Sequence, residues 1–263
     1  MFQFVSTLVD FLLFKKLVND YLPSKSRKLA YLFFYVFYGL IIEINLLRNV
    51  KAILIFLVAL RYVGVNFIKY FILILIACFF HKFSIIYLIL YPLLNKKWSR
   101  RLVLCVWIFG NVFFLLQIPI LKNIVLNILN YLPSNIYFSA IKNYFSSDLY
   151  SKAYGIGFGW IERQICFLIS FHYSKKLYNN DDKSRIFFNL FYIYSFIFLY
   201  FSEISIVVER VPYLFAAGYW FLFPYIFNFL SKKEKKIFLI YFFAVSVMKV
   251  ITGNNNILSN YKI

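Results

Sequence analysis

Apolar runs of helix length alternate with short clusters of lysine and arginine through nearly all of the sequence, and this alternation restricts the fold more than any single motif. An isolated segment in lipid must satisfy its own backbone hydrogen bonds, so runs of this kind read as helices. Outer-membrane barrels would show ~10-residue segments of alternating hydrophobicity, and no such alternation is present. A soluble globule is excluded by composition: 63% of the 263 residues are hydrophobic, against the usual ~45–50%. The sequence therefore predicts an all-α, polytopic helical membrane protein, a single integral domain over residues 1–263 with about seven to nine hydrophobic helices.

The net charge of +19 has two readings. Its lysines and arginines sit between the apolar runs, which is the cytoplasmic-loop bias of a bundle in an energised membrane, and nucleic acid is not expected as a partner. Cys78, Cys105 and Cys166 lie in apolar runs at no metal or disulfide spacing and read as small core residues. Residues 1–14 are apolar but contain Asp10, lack a basic leader and have no small-residue cleavage site, so they read as a short or interfacial helix.

Charge also sets the path of the chain. The run 29–47 follows the basic residues 25–28 and leads outward to Arg48, and 50–65 returns toward Lys69. The stretch 70–94 is long enough to cross a bilayer, yet His81 and Lys82 lie in its middle, where a cation costs at least ~2.5–3.5 kcal/mol. Lys69 precedes it and Lys96, Lys97, Arg100 and Arg101 follow it, so both of its ends should lie on the basic side. It is therefore predicted to form a hairpin of two short helices, 66–80 and 84–98, each ~22 Å long, with His81 at the outer tip. The alternative, one span with everything before it reversed, would place the cluster 25–28 outside.

The run 102–121 then leads outward to 122–157, a polar-leaning extracytoplasmic loop long enough to be functional. Runs 161–173, 186–208, 213–230 and 237–251 complete the bundle. Under this scheme Arg48, His81, Glu162, Arg163, Glu203, Glu209 and Arg210 gather on or near the outer side.

These polar residues limit the chemistry. With only His81 and His172 in the chain, a three-histidine metal site is impossible, and neither a metal nor a cofactor is expected. Outer arginines suit a phosphate-bearing ligand, because guanidinium stays charged and grips phosphate oxygens in pairs; the plainer role of Arg48 and Arg210 is to anchor helix ends in headgroups. His81 suits a general base or a hydrogen-bond partner for sugar or phosphate, and its plainer role is a cap on the hairpin. Glu203 and Arg210 are two turns apart and share a face; either Glu203 or Glu209 suits a catalytic carboxylate or a counter-ion for Arg210, the ion-pair role being favoured for Glu209 and both roles staying open for Glu203.

Leu47-Arg48-Asn49, Ala52, Lys69-Tyr70-Phe71, Ala77 and Phe80-His81-Lys82-Phe83-Ser84, with Tyr91 beyond, resemble the central block of the EpsG/Wzy-type polysaccharide polymerases. The segment from Glu209 to Phe215, followed by Pro224, is similar to the family's later Arg-x-x-x-Tyr-Phe block. Asn49 stands for Gln, and Pro212 intrudes after Arg210. Family members usually carry further amino-terminal spans, so the chain reads as a short variant or an incomplete product.

The resemblance implies a glycosyltransferase-type polymerase that joins undecaprenyl-diphosphate-linked oligosaccharide repeats at the outer face of the bacterial inner membrane, making O-antigen, capsule or exopolysaccharide. It implies Arg48, Arg210 and His81 as catalytic residues, with Glu162, Arg163, Glu203 and Glu209 lining the saccharide site. Membrane lipid, a chain-length regulator and a flippase are the implied partners. Two other classes fit the residues. A membrane acyltransferase would also use an intramembrane His near Arg, although no early histidine-rich block is present; a lipid-linked saccharide transporter would do no chemistry, although no matching broken-helix repeats are seen.

Overall fold

A computed structural model describes residues 2–37, 47–117, 119–131, 136–146, 153–204, 207–208 and 211–253. Regular structure in these residues is helical throughout: α1 (Phe2–Tyr21), α2 (Ser24–Val36), α3 (Leu47–Ala59), α4 (Phe67–Phe80), α5 (Ile86–Leu94), α6 (Arg100–Leu116), α7 (Ile120–Tyr131), α8 (Ile136–Ser146), α9 (Phe158–Leu177), α10 (Asp182–Tyr200), α11 (Ala217–Phe227) and α12 (Lys232–Gly253). Short 3-10 turns cover Leu60–Tyr62, Lys82–Ile85 and Pro212–Phe215. Several starts are written into the local sequence. Asn66 accepts the Lys69 N–H at 2.9 Å, Ser99 accepts that of Leu102 at 3.1 Å, and Asp181 accepts that of Ser184.

The centre of the bundle is α10, buried along most of its length and packed by α6, α9 and α11. α11 lies between α10 and α2, and its Gly218 permits the approach, since a Cβ there would meet the Phe191 backbone at 3.0 Å. The aromatic excess fills this interior: Tyr219 stacks on Phe37 at 4.5 Å and meets the edges of Phe191 and Tyr194 at 5.0 and 5.1 Å. Each such pair adds about 0.5–1.5 kcal/mol beyond the area it buries.

The basic clusters are tied together on one face. Arg61 pairs with Asp20, and Lys183 donates to the Asp20 carbonyl at 3.2 Å. Arg185 donates to Asn95, and Arg100 to the Ser174 hydroxyl at 3.1 Å. Tyr173 donates to Glu234 at 2.8 Å. Glu234 also accepts the Ser231 N–H in the box that starts α12, and these bonds, led by the one to the Ser231 hydroxyl, push its carboxyl down to about 2.

The stretch around His81 turns back on itself. α4 and α5 run antiparallel, with Tyr70 donating to the Tyr87 carbonyl at 2.6 Å and its ring 4.8 Å from that of Tyr91. At the base, Gly64 holds φ +76° beside Asn95, so the residues that precede and follow the hairpin meet. Asn189 closes this base from α10, its amide donating to the carbonyls of Leu93, Leu94 and Lys96 at 2.8–3.0 Å. Tyr178 donates to Asn189 at 2.7 Å and accepts the Trp98 N–H at 3.0 Å. These bonds satisfy carbonyls that the end of α5 leaves without helical partners.

Other expectations need correction. Residues 1–14 are not a separate short helix but part of the 20-residue α1. Most of the connection 122–157 that is described as regular structure is the pair α7 and α8, not loop: the scattered asparagines between apolar residues still give a helical pattern. Among the described residues no helix is both long and apolar enough to cross a membrane. The more apolar helices are short, α4 having 14 residues, α5 nine and α11 eleven. The longer α1, α9, α10 and α12 carry charged residues within their lengths.

Candidate functional site

Two groups of polar side chains lie in the half of the bundle away from the basic face. Along α4, His81 is twelve residues past Lys69, and along α9, Glu162 is thirteen before Lys175; at 1.5 Å per residue each stands roughly 18–20 Å from that face.

The first group is at the hairpin tip. α4 ends at Phe80 because His81 adopts an extended backbone, φ −145° and ψ 110°, before the turn Lys82–Ile85. The imidazole is half-buried there, outside the helical segments. Arg48 projects from the first turn of α3, which packs antiparallel to α4, and is exposed. Among the described residues neither the Arg48 guanidinium nor the His81 imidazole has a hydrogen-bonding or ion-pairing partner. Partial burial, with the Arg48 charge as the second cause, holds the imidazole below its ordinary value of 6.5. His81 is thus neutral at pH 7 and able to accept a proton. Ser84, fully buried within this turn, has a hydroxyl oxygen without a hydrogen-bond partner.

The second group is interior. Glu162 is 1% exposed; its Oε1 accepts the Tyr219 hydroxyl at 2.7 Å and faces the Cys166 thiol at 3.4 Å, and its Oε2 stands 3.4 Å from Lys249 Nζ. Lys249 lies over the Phe37 ring at 4.0 Å. Arg163, about 100° around α9, points toward α10: its Nε donates to the Tyr194 hydroxyl at 2.9 Å, its Nη1 to the Gly159 carbonyl at 2.7 Å, and its guanidinium covers Phe198 at 4.1 Å. A Cβ at Gly159 would meet Nη1 at 2.8 Å, so the glycine makes room for this arginine. One acid and two cations thus tie α9 to α10, α11 and α12.

The remaining candidates separate from both groups. Glu203 is buried past the end of α10 and accepts the Lys122 N–H at 2.9 Å, where α7 begins and backbone donors lack helical acceptors. Glu209 and Arg210 lie outside the described residues. The turn Pro212–Phe215 that follows them is held to the hairpin by Tyr87, whose hydroxyl donates to the Leu214 carbonyl at 2.9 Å.

The structure therefore brings Arg48 and His81 together and places Glu162 and Arg163 in a partnered interior. Sequence reasoning missed Lys249, Tyr219 and Tyr194. Lys249 was open to detection by the rule that singled out His81, a lone cation in an apolar run; Tyr219 and Tyr194 were hidden among 23 tyrosines. No group of three metal-ligating side chains is assembled among the described residues.

The family model described as "EpsG family" matches residues 1–263, and the chain belongs to this family of polysaccharide polymerases. No curated protein and no solved structure matches it.

Proposed function

We propose that the protein polymerises undecaprenyl-diphosphate-linked oligosaccharide repeats as a multi-pass protein of the bacterial cytoplasmic membrane, with the basic face toward the cytoplasm and the hairpin tip outside. A sugar hydroxyl of one repeat attacks the anomeric carbon of the growing chain. The bond from that carbon to the diphosphate breaks, and undecaprenyl diphosphate leaves with the electron pair. His81 orients the attacking hydroxyl and takes its proton; Arg48 and Arg210 bind the departing diphosphate as its charge develops. The observation that carries this reading is the pairing of a neutral, half-buried imidazole with an unpartnered, exposed guanidinium at the end of the bundle remote from the basic clusters.

Three further features support it. Large apolar side chains are exposed along the helices, among them Phe79, Ile89, Phe109 and Phe243 at 88, 70, 61 and 71%, an apolar surface that suits lipid better than water. The gathering of basic clusters on one face fits the cytoplasmic bias. The family itself places the chain in polysaccharide biosynthesis. On this reading helices shorter than the ~30 Å hydrocarbon core cross it in succession or meet within it, where protein covers their ends. A chain-length regulator and a flippase act beside it, and the α7–α8 segment borders the saccharide path.

Deletion and complementation test the reaction. Cells that lack the protein should show single repeats in place of long polymer on a gel of surface polysaccharide, and the parent sequence should restore the ladder. Full-length polymer from Arg48→Ala or Arg210→Ala at normal protein level would remove the assignment of these residues. Unchanged polymer length with a missing ester would point to acyl transfer, and lipid-linked repeats held on the inner leaflet would point to transport.

A further inference from the structure

Among the clefts on the basic face, two differ in charge. One is lined by Asp20, Arg61, Asp182 and Lys183 with apolar neighbours, so its cations already face carboxylates. The other, of about 340 Å³, lies between the segment 97–100 and the end of α9, and takes Lys97, Arg100 and Lys175 with no acidic side chain. Its floor is Trp98, Phe171 and Tyr192.

We infer that this second cleft binds a phosphate ester through Lys97, Arg100 and Lys175. Arg100 is already oriented: its guanidinium lies 4.3 Å from the centre of the Phe171 ring and donates to Ser174, which leaves further N–H groups for oxygens in the cleft. Lys97 and Lys175 are exposed and bring two more charges to the rim. The start of α6 adds the positive end of a 17-residue helix dipole. Uncompensated cations over an aromatic floor suit a group that is anionic at one end and apolar at the other. The headgroup of an anionic phospholipid has this form, and Leu102 and Leu168, exposed beside the cleft, would meet its acyl chains. A small soluble phosphate ester shares the anionic end alone. The wall segment 97–100 directly follows Lys96, whose carbonyl Asn189 holds, so occupation would brace the base of the hairpin that carries His81. The site is remote from the tip and does not depend on the reaction proposed above.

The test uses the full chain purified in neutral detergent, with phosphatidylglycerol as probe, phosphatidylcholine as control and glycerol 3-phosphate as competitor, read by native mass spectrometry and by titration. Saturable binding of phosphatidylglycerol is expected. It should weaken about 30-fold in the variant with Lys97→Gln and Lys175→Gln, because two basic side chains leave the phosphate. The matched control, Lys232→Gln with Lys233→Gln, removes two exposed lysines of the same face outside the cleft and should change binding less than about threefold. Arg100→Gln should reduce binding further than either lysine alone. Competition by glycerol 3-phosphate would assign the site to phosphate itself, and saturable lipid binding without competition would assign it to the headgroup with its chains. Absence of saturable binding to the parent, or equal loss in the two double variants, would overturn the inference.

Discussion

The Glu162 cluster and the hairpin tip use similar side chains in opposite circumstances. Inside, Glu162 meets Tyr219 and Lys249, and Arg163 meets Tyr194, Gly159 and Phe198. At the tip, Arg48 is exposed, and among the described residues the only ring packed on the His81 imidazole is Phe83 at 6.3 Å. A buried charge that already has protein partners is occupied in holding helices together. A cation and a base left without partners at the end of a scaffold keep their bonding capacity for a ligand. The same sequence rule flagged both groups, and only their partners tell frame from site.

Glu162→Ala offers the strongest way to break this contrast. Removing Glu162 takes a buried carboxylate from both the Tyr219 hydroxyl and Lys249, and the protein should lose about 3–5 kcal/mol of stability. Denaturant unfolding of the purified chain measures it. The double variant with Glu162→Gln and Lys249→Met should regain much of that loss, since both charges of the pair are then removed together. A Glu162→Ala protein with parental stability but no polymer would move the cluster from frame to site.

At the tip the two readouts should separate the other way. Arg48→Ala is expected to lower polymer synthesis about 10²–10³-fold, the scale for removing one donor from a developing anion, while the unfolding midpoint stays within error because Arg48 is exposed. Arg48→Lys should recover only part of the rate, since a point charge replaces a planar fork. A large fall in stability would show that Arg48 belongs with the frame.

Much of the frame was legible in the sequence because charge sorts helix ends and apolar runs make helices. Lys69 on one side and Lys96–Arg101 on the other required the chain to return at His81, and the meeting of Gly64 with Asn95 shows that it does. Helix limits were less legible: capping by Asn66, Ser99 and Asp181 depends on side-chain geometry that a hydropathy pattern does not contain. The α7–α8 segment misled for a related reason, since asparagines weaken an apolar pattern without stopping a helix. In the site, Arg48 and His81 could be named from the sequence, whereas the fate of Glu162 and Arg163 could not. Whether a buried charge has protein partners depends on Tyr194, Tyr219 and Lys249, which come from three other helices and lie 31 residues or more away along the chain.

The hairpin base is the next place to sharpen the comparison, since it has the satisfied polar groups that the tip lacks. Asn189→Leu removes the donor shared by three carbonyls; that of Lys96 keeps the Tyr178 hydroxyl, while those of Leu93 and Leu94 lose the Asn189 amide. The expected cost is about 1–3 kcal/mol. Hydrogen exchange should rise in residues 93–98 first, and polymer synthesis should fall only as far as the hairpin loosens. Exchange that rises at the tip but not at the base would show that the clamp is elsewhere.

The smallest effect is also the most direct reading of the tip. His81 and His172 are the only histidines, so NMR titration of the ring protons, assigned with His172→Gln, isolates His81. Its midpoint should lie below 6.5, because burial first and the Arg48 charge second disfavour the imidazolium. Below 6.5 the unfolded chain takes the proton more readily than the folded one, so stability should decline as the pH falls from 6.5 toward the folded midpoint and then level off. Polymer synthesis should hold through neutral pH and fall only when His81 protonates. Arg48→Gln should raise the midpoint part of the way back toward 6.5, since burial remains, and shift the acid limb of the residual activity upward with it. An unmoved midpoint would mean that the guanidinium charge does not reach the imidazole, and the two would then have to be treated as separate groups that merely share one end of the bundle.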